Sequence, residues 1–167
     1  MPKLFPEIAL PRLGAPDQYG FLVPDLATAI RSWSAIIGDD DWAIYTYGPE
    51  SMSRMSFRSG PGTFRIRIAL SSTRPEIELI ELIDGPSIYH EWVAEHGYGL
   101  HHVGYFVQSI EEAVTGPDFA GLEMIQSGYG FGADGDGGFA YFDASGSLGV
   151  AFELIELPVR EPASETL

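Results

Sequence analysis

The pentapeptide Glu-Leu-Ile-Glu-Leu occurs twice in this chain, at residues 78–82 and again at 153–157. Upstream of each copy lies a second matched segment: Gln18, Gly20, Val23, Leu26 and Ala29 fall in register with His102, Gly104, Val107, Ile110 and Ala113 at a single offset of 84 residues. A repeat on this scale means that the chain is built from two copies of one supersecondary unit that stack to share a core. The pentapeptides run at an offset of 75. The first copy therefore carries about nine extra residues between its matched segments, an insertion that a surface loop tolerates at little entropic cost.

Periodicity supplies the content of each copy. Residues 18–23 alternate and are rich in aromatic and β-branched types, which predicts a strand. Pro24-Asp25 starts a helix on which Leu26, Ala29, Ile30, Trp33, Ile36 and Ile37 recur at helical spacing until Gly38. Strands are expected at 41–47, 64–70 and 77–83, with a Ser/Gly/Pro loop at 52–63. The second copy repeats the order: strand 102–107, a helix from Ile110, and strands 124–128, 139–143 and 150–157. The expected organisation is an extended leader (1–15), a first βαβββ module (16–85), a linker helix (86–98), a second βαβββ module (99–158) and a disordered tail (159–167). The Gly-rich run from Gly128 to Gly138 lacks the strand-then-helix setting of a phosphate loop. Its Asp134-Gly135-Asp136 lacks the following Glu of a calcium loop. It reads as a flexible hairpin or lid.

Composition excludes several function classes. With no cysteine among 167 residues there is no disulfide framework, thiolate metal site or cysteine nucleophile. A formal charge of −15, with only nine Lys and Arg, excludes phosphate-backbone binding, so no nucleic-acid partner is expected. A coenzyme A thioester would need a local basic patch, for which Arg31, Arg54, Arg58, Arg65 and Arg67 are the supply. No apolar run is long enough for a membrane helix and the N-terminus carries no secretory pattern, which makes a cytoplasmic protein the expectation.

Strand alternation sorts the polar residues by face. Glu78 and Glu153 stand on one face of their strands, and Glu81 and Glu156 on the other, expected to be solvated. Gln18 and His102 occupy equivalent places on the two opening strands. If these faces line a concave sheet, Gln18, Glu78, His102 and Glu153 converge. His101 is expected to serve packing on the opposite face, and His90 and His96 to lie at the surface.

The segment Gly99-Leu100-His101-His102-Val103-Gly104 with its paired carboxylate strands resembles the vicinal oxygen chelate superfamily, the glyoxalase, bleomycin-resistance and dioxygenase fold, and within it the methylmalonyl-CoA epimerase-like members. The resemblance implies an α+β fold of two tandem βαβββ modules forming an open, eight-stranded, cup-shaped mixed sheet around one divalent metal. It implies Gln18, Glu78, His102 and Glu153 as metal ligands, with Glu153 or Glu78 doubling as catalytic base. It further implies Phe106, Tyr129, Phe131 and Tyr141 as substrate-binding residues, a small-molecule substrate or ligand, and a homodimer. Gln18 departs from the family, which usually has His there. One imidazole, two carboxylates and an amide make an oxygen-rich set better suited to Mn²⁺, Mg²⁺ or Co²⁺ than to tetrahedral zinc, with Ni²⁺ and Zn²⁺ as further candidates. The expected activity is metal-assisted isomerisation or epimerisation by proton removal next to a carbonyl. The alternatives are a non-catalytic binder of the bleomycin-resistance type and a glyoxalase I-like lyase. An extradiol dioxygenase, which needs two His and one carboxylate, is disfavoured by Gln18.

Overall fold

A computed structural model describes residues 9–166. The first copy forms β1 (Gln18–Val23), α1 (Leu26–Ile37), β2 (Trp42–Tyr47), β3 (Arg54–Phe57), β4 (Gly60–Pro61), β5 (Arg65–Ser71) and β6 (Glu76–Asp84). After α2 (Ile88–His96) the second copy forms β7 (Gly99–Phe106), α3 (Ile110–Val114), β8 (Met124–Phe131), β9 (Gly137–Phe142), the single turn α4 (Ser145–Leu148) and β10 (Ala151–Glu156). A last short strand, β11, covers Glu165–Thr166.

All the strands belong to one curled mixed sheet in the order β11-β2-β5-β6-β1-β7-β10-β9-β8-β3-β4. Each copy contributes one block, β2-β5-β6-β1 and β7-β10-β9-β8, and the blocks are joined by antiparallel pairing of β1 with β7. Within each block the opening strand runs parallel to the closing one, β1 beside β6 and β7 beside β10. The expected eight-stranded cup is therefore present, with three further strands among the described residues.

Both additions cover exposed sheet edges. The insertion in the first copy, expected as a loop at 52–63, contains the β3–β4 hairpin, which crosses over to pair with β8 of the second copy. Residues 159–166, expected as disordered tail, run instead as a strap along β2: Ser164 N–H donates to Ile44 O at 2.8 Å, and Glu165 pairs with Ile44. Polar, Pro-containing composition suggested disorder, but the unpaired backbone groups of an edge strand are a stronger local constraint. Leu167, and residues 1–8 of the expected leader, lie outside the described residues.

The core divides by sheet face. On the convex side α1 packs Leu26 and Ile30 against Trp42, Ile44, Ala69 and Leu79, and α3 packs Ile110 with Phe142, Phe152 and Leu154. Gly38, with φ 71°, ends α1 in the left-handed conformation the sequence suggested. On the concave side α2 lays Ile88 and Tyr89 over a cluster that includes Leu22, Phe64, Ile80 and Tyr141, filling one half of the cup.

The two outward glutamates of the repeat are not simply solvated. Glu81 Oε2 accepts from the backbone N–H of Leu26 at 2.6 Å, at the start of α1. Glu156 Oε1 accepts from Ile110 N–H at the start of α3. Each helix also has a conventional N-cap, Asp25 accepting from Thr28 N–H and Ser109 from Glu112 N–H. A carboxylate at a helix N-terminus is favoured both as hydrogen-bond acceptor and by the helix dipole.

Candidate metal centre

The concave face of the four central strands, β6-β1-β7-β10, carries the site. Parallel register sets Gln18 beside Glu76 and Gly20 beside Glu78, while Glu153 pairs with Gly104 and Ala151 with His102. Across the seam Gly20 lies opposite His102 and Gln18 opposite Gly104. The two glycines create the room for these side chains. A Cβ on Gly20 would fall 1.8 Å from His102 Cε1, and one on Gly104 would fall 2.9 Å from Gln18 Oε1.

Four ligand-type atoms meet at this place. His102 Nε2 lies 3.1 Å from Glu78 Oε2, 3.1 Å from Glu153 Oε2 and 3.3 Å from Gln18 Oε1. The three ionisable members all have an available ligand atom within 4.8 Å of the others. All four residues are buried, His102 completely. A single imidazole nitrogen can offer one proton, yet three oxygens converge on it. Neither Glu78 Oε2 nor Glu153 Oε2 is satisfied by a hydrogen bond. Buried carboxylate oxygens left so are costly unless a cation compensates them. Burial alone would lower the His102 pKa, but the facing Glu153 and Glu78 override it and raise it to about 9, so the imidazolium fills the cationic role here. Glu78 is pushed above the ordinary carboxylate range, first by burial and further by Glu153. The donor set of one imidazole, two carboxylates and an amide oxygen fits a hard or borderline divalent cation equally well.

Two neighbours orient the ligand atoms. Gln18 Nε2 donates to Glu76 Oε1 at 2.7 Å, which turns its amide oxygen toward His102. Glu76 was missed in the sequence because its strand was expected to begin at residue 77. Alternation from Glu78 marks it as the next residue on the same face. The second neighbour is His101, whose Nδ1 lies 3.0 Å from His102 Nδ1. His101 is not on the opposite face as expected. The pairing of Gly20 with His102 and of Phe21 with Leu100 leaves His101 as a bulge in β7, so both imidazoles lie on the concave side. There His101 packs between Tyr89, Trp92 and Tyr141. Burial, and then the charge on His102, holds His101 well below the ordinary histidine pKa, hence neutral. The shared proton is then on His102 Nδ1, which leaves Nε2 as the atom aimed at the cluster.

The residues expected to bind substrate separate. Phe131 lines a cavity of about 40 Å³ together with Gln18, Tyr47, Glu78, Glu153 and Glu161. Tyr141 lies beneath the site, its ring centroid 5.0 Å from that of His102 and its hydroxyl 3.2 Å from that of Tyr89. Tyr129 packs on the convex side, with the Arg54 guanidinium 4.4 Å from its ring centre. A second bulge, between Tyr129 and Phe131 with Gly130 at φ 89°, interrupts strand alternation there and turns the two aromatics to different faces. Phe106 is half-buried at the end of β7, its backbone N–H donating to Asp17 Oδ2 at 2.9 Å.

The sequence model of the Glyoxalase/Bleomycin resistance protein/Dioxygenase superfamily matches residues 17–142. Among solved structures, a methylmalonyl-CoA epimerase in complex with methylmalonyl-CoA and NH4+ is 16% identical with a TM-score of 0.62, over 90% of this chain and 99% of that one. A hypothetical protein from Bacillus halodurans C-125 is 22% identical with a TM-score of 0.57, over 90% and 98%. The methylmalonyl-CoA epimerase from Mycobacterium tuberculosis is 18% identical with a TM-score of 0.56, over 86% and 87%. No curated protein matches the chain by sequence.

Proposed function

The chain belongs to the glyoxalase/bleomycin resistance protein/dioxygenase superfamily, and from that premise we propose that it is a divalent-metal-dependent isomerase or epimerase that removes a proton next to a carbonyl group. The observation that carries this reading is the convergence of Gln18, Glu78, His102 and Glu153 on one buried point, with two carboxylate oxygens unsatisfied there. These four residues would hold the ion. When bound, a divalent cation supplies electrophilic stabilisation to a carbonyl oxygen, without which α-proton removal at neutral pH is too slow. The protein's own contributions are a water-poor concave floor, ligand orientation by Glu76 and His101, and a carboxylate to take the proton. Glu153 and Glu78 are the bases that the sequence offered.

The surroundings support one substrate class over another. Several arginines that would recognise a coenzyme A tail are engaged by acids: Arg58 pairs with Glu91, Arg65 with Glu50 and Asp84, and Arg67 with Glu165. The cavity walls include Ile68, Leu70, Phe131 and Phe139. Both features favour an apolar ketone or a short acyl thioester over a substrate held by its phosphates. The reading carries with it a homodimeric, cytoplasmic protein, for which light scattering and cell fractionation are the checks. Among the described residues no helix is long and apolar enough to cross a membrane.

The test is metal analysis of protein purified without chelator, followed by deuterium wash-in at the α-carbon, read by mass spectrometry. Short acyl thioesters and substituted cyclic ketones serve as probes with Mn²⁺, Mg²⁺, Co²⁺, Ni²⁺ or Zn²⁺ added. Exchange that requires an ion and disappears in His102→Ala is expected. Tight, saturable binding of an apolar ligand with no exchange under any ion would favour the binder reading, for which the aromatic wall at Tyr47, Phe131 and Phe139 is the supporting feature. A glyoxalase I-like lyase would instead need a thiol adduct as substrate.

A further inference from the structure

Two acidic side chains of the central cavity lie outside the four-residue cluster, and of these Glu76 is taken up by Gln18 while Glu161 touches none of the four. Glu161 lies on the strap, the tail segment that leaves β10 at Leu157 and pairs along β2, and its side chain lines the cavity with Glu78, Glu153 and Phe131. The Tyr47 hydroxyl donates to Glu161 Oε1, and the Tyr45 hydroxyl donates to the Glu161 backbone carbonyl at 3.2 Å. Burial raises the pKa of Glu161 above the usual carboxylate range, while the bond from Tyr47 opposes that rise. It is thus a half-buried carboxyl group, held at one oxygen and brought to the cavity by the strap rather than by one of the four central strands.

We infer that Glu161 is the acid–base residue of the proton transfer proposed above, carried into the cup by the strap. The inference rests on the isomerase reading and names a base that the repeat does not contain. Glu78 and Glu153 each have an oxygen committed toward His102, 3.1 Å away, so as ligands they are poorly free to reach a substrate carbon. Glu161 has no such commitment. In the step, the carbon–hydrogen bond breaks and the proton passes to the Glu161 carboxylate. The bonding pair becomes the carbon–carbon π bond of an enolate, and the negative charge settles on the oxygen facing the floor. Return of the proton, or of one exchanged from solvent, restores the carbonyl compound.

The strap also explains how so small a cavity can serve. A space of about 40 Å³ holds only a few waters, so a substrate gains room there when the strap lifts. Its fastenings are of the kind that open cheaply: the exposed Arg160–Asp134 and Arg67–Glu165 ion pairs, and single hydrogen bonds such as Ala133 N–H to Arg160 O at 2.8 Å and Val159 N–H to Asp136 at 3.1 Å. Re-docking the strap returns Glu161, so closing the cup and supplying the base are one movement.

The experiment compares the full-length wild type with Glu161→Gln and Glu161→Asp, using the same acyl thioester and cyclic ketone probes with Mn²⁺. For Glu161→Gln the expected result is a fall of about 100-fold or more in kcat for deuterium exchange, the range lost with a general base, at a KM within threefold. Mn²⁺ affinity and melting temperature should be unchanged, because Gln still accepts from Tyr47, and Glu161→Asp should recover part of the rate. Exchange by Glu161→Gln within threefold of wild type would overturn the assignment and leave the isomerase reading standing. Loss of Mn²⁺ affinity by more than tenfold would also overturn it, by making Glu161 a ligand. A wild type that exchanges no probe with any ion removes both readings together.

Discussion

A single extra residue in β7 turns a second imidazole, that of His101, toward the candidate metal centre. His101 holds the proton of His102 Nδ1 on the side away from the cluster, a hydrogen bond that fixes ring orientation and raises ligand basicity. Replacing it by Phe, which fits an aromatic pocket of Tyr89, Trp92 and Tyr141, should keep the fold and weaken Mn²⁺ binding by about 10- to 100-fold, as loss of such a partner does elsewhere. Isothermal titration reads this directly, and an unchanged affinity would return His101 to a packing role. The charge on His102 sets the pH dependence. Its pKa is raised from 6.5 to about 9 in the metal-free protein, so at neutral pH an ion must displace its proton. Metal affinity should therefore climb with pH, by about tenfold per unit from this group, and level off above about pH 9. Below that, each bound ion should release about one proton from His102, measurable by titration in buffers of different ionisation enthalpy. A flat profile from pH 6 to 9 would contradict the assigned charge state.

At the scale of the element, each Glu-Leu-Ile-Glu-Leu strand performs two tasks from opposite faces. Its first Glu reaches the central cluster and its second anchors the N-terminus of the helix outside. Glu81→Ala and Glu156→Ala should each destabilise the protein by about 1–2 kcal/mol, the usual cost of losing a charged acceptor at a helix start. That corresponds to a fall of roughly 2–4 °C in melting temperature per kcal/mol for a chain of this size. The metal affinity of either variant should stay as it was, because the inward face is untouched. Which Glu faces the cluster was legible in the sequence, because strand alternation and the 75-residue offset together fix face and position. So were α1, α2, the modules and the four converging residues. What the sequence concealed has one recurrent cause. His101 was placed on the wrong face and Tyr129 was grouped with Phe131 as substrate-binding, and each adjoins a bulge, where one added residue reverses parity without changing composition. The strap was concealed for a different reason: its order depends on the free edge of β2, a partner more than a hundred residues away.

For the whole molecule, the metal-type cluster draws on residues 18, 78, 102 and 153, one from each of the four central strands. No short fragment contains more than one of them, so an unfolded chain offers little to an ion and binding free energy becomes folding free energy. Saturating Mn²⁺ at about 100 times its dissociation constant should add about 2.7 kcal/mol of stability, seen as a rise in melting temperature that a chelator reverses. His102→Ala should abolish the rise, and a rise that survives this change would place the ion elsewhere. The β1–β7 seam has a consequence for synthesis. A ribosome delivers the first module complete by residue 84, yet β1 is then an outer strand, and its partner β7 does not begin until residue 99. In that interval the nascent half exposes an open hydrogen-bonding edge, with the glutamine and carboxylate of the future centre beside it. Two such halves released early have in each other a strand of the same sequence to pair with, so a truncated transcript would yield a self-associating product, and the second module serves the first as its own tethered partner.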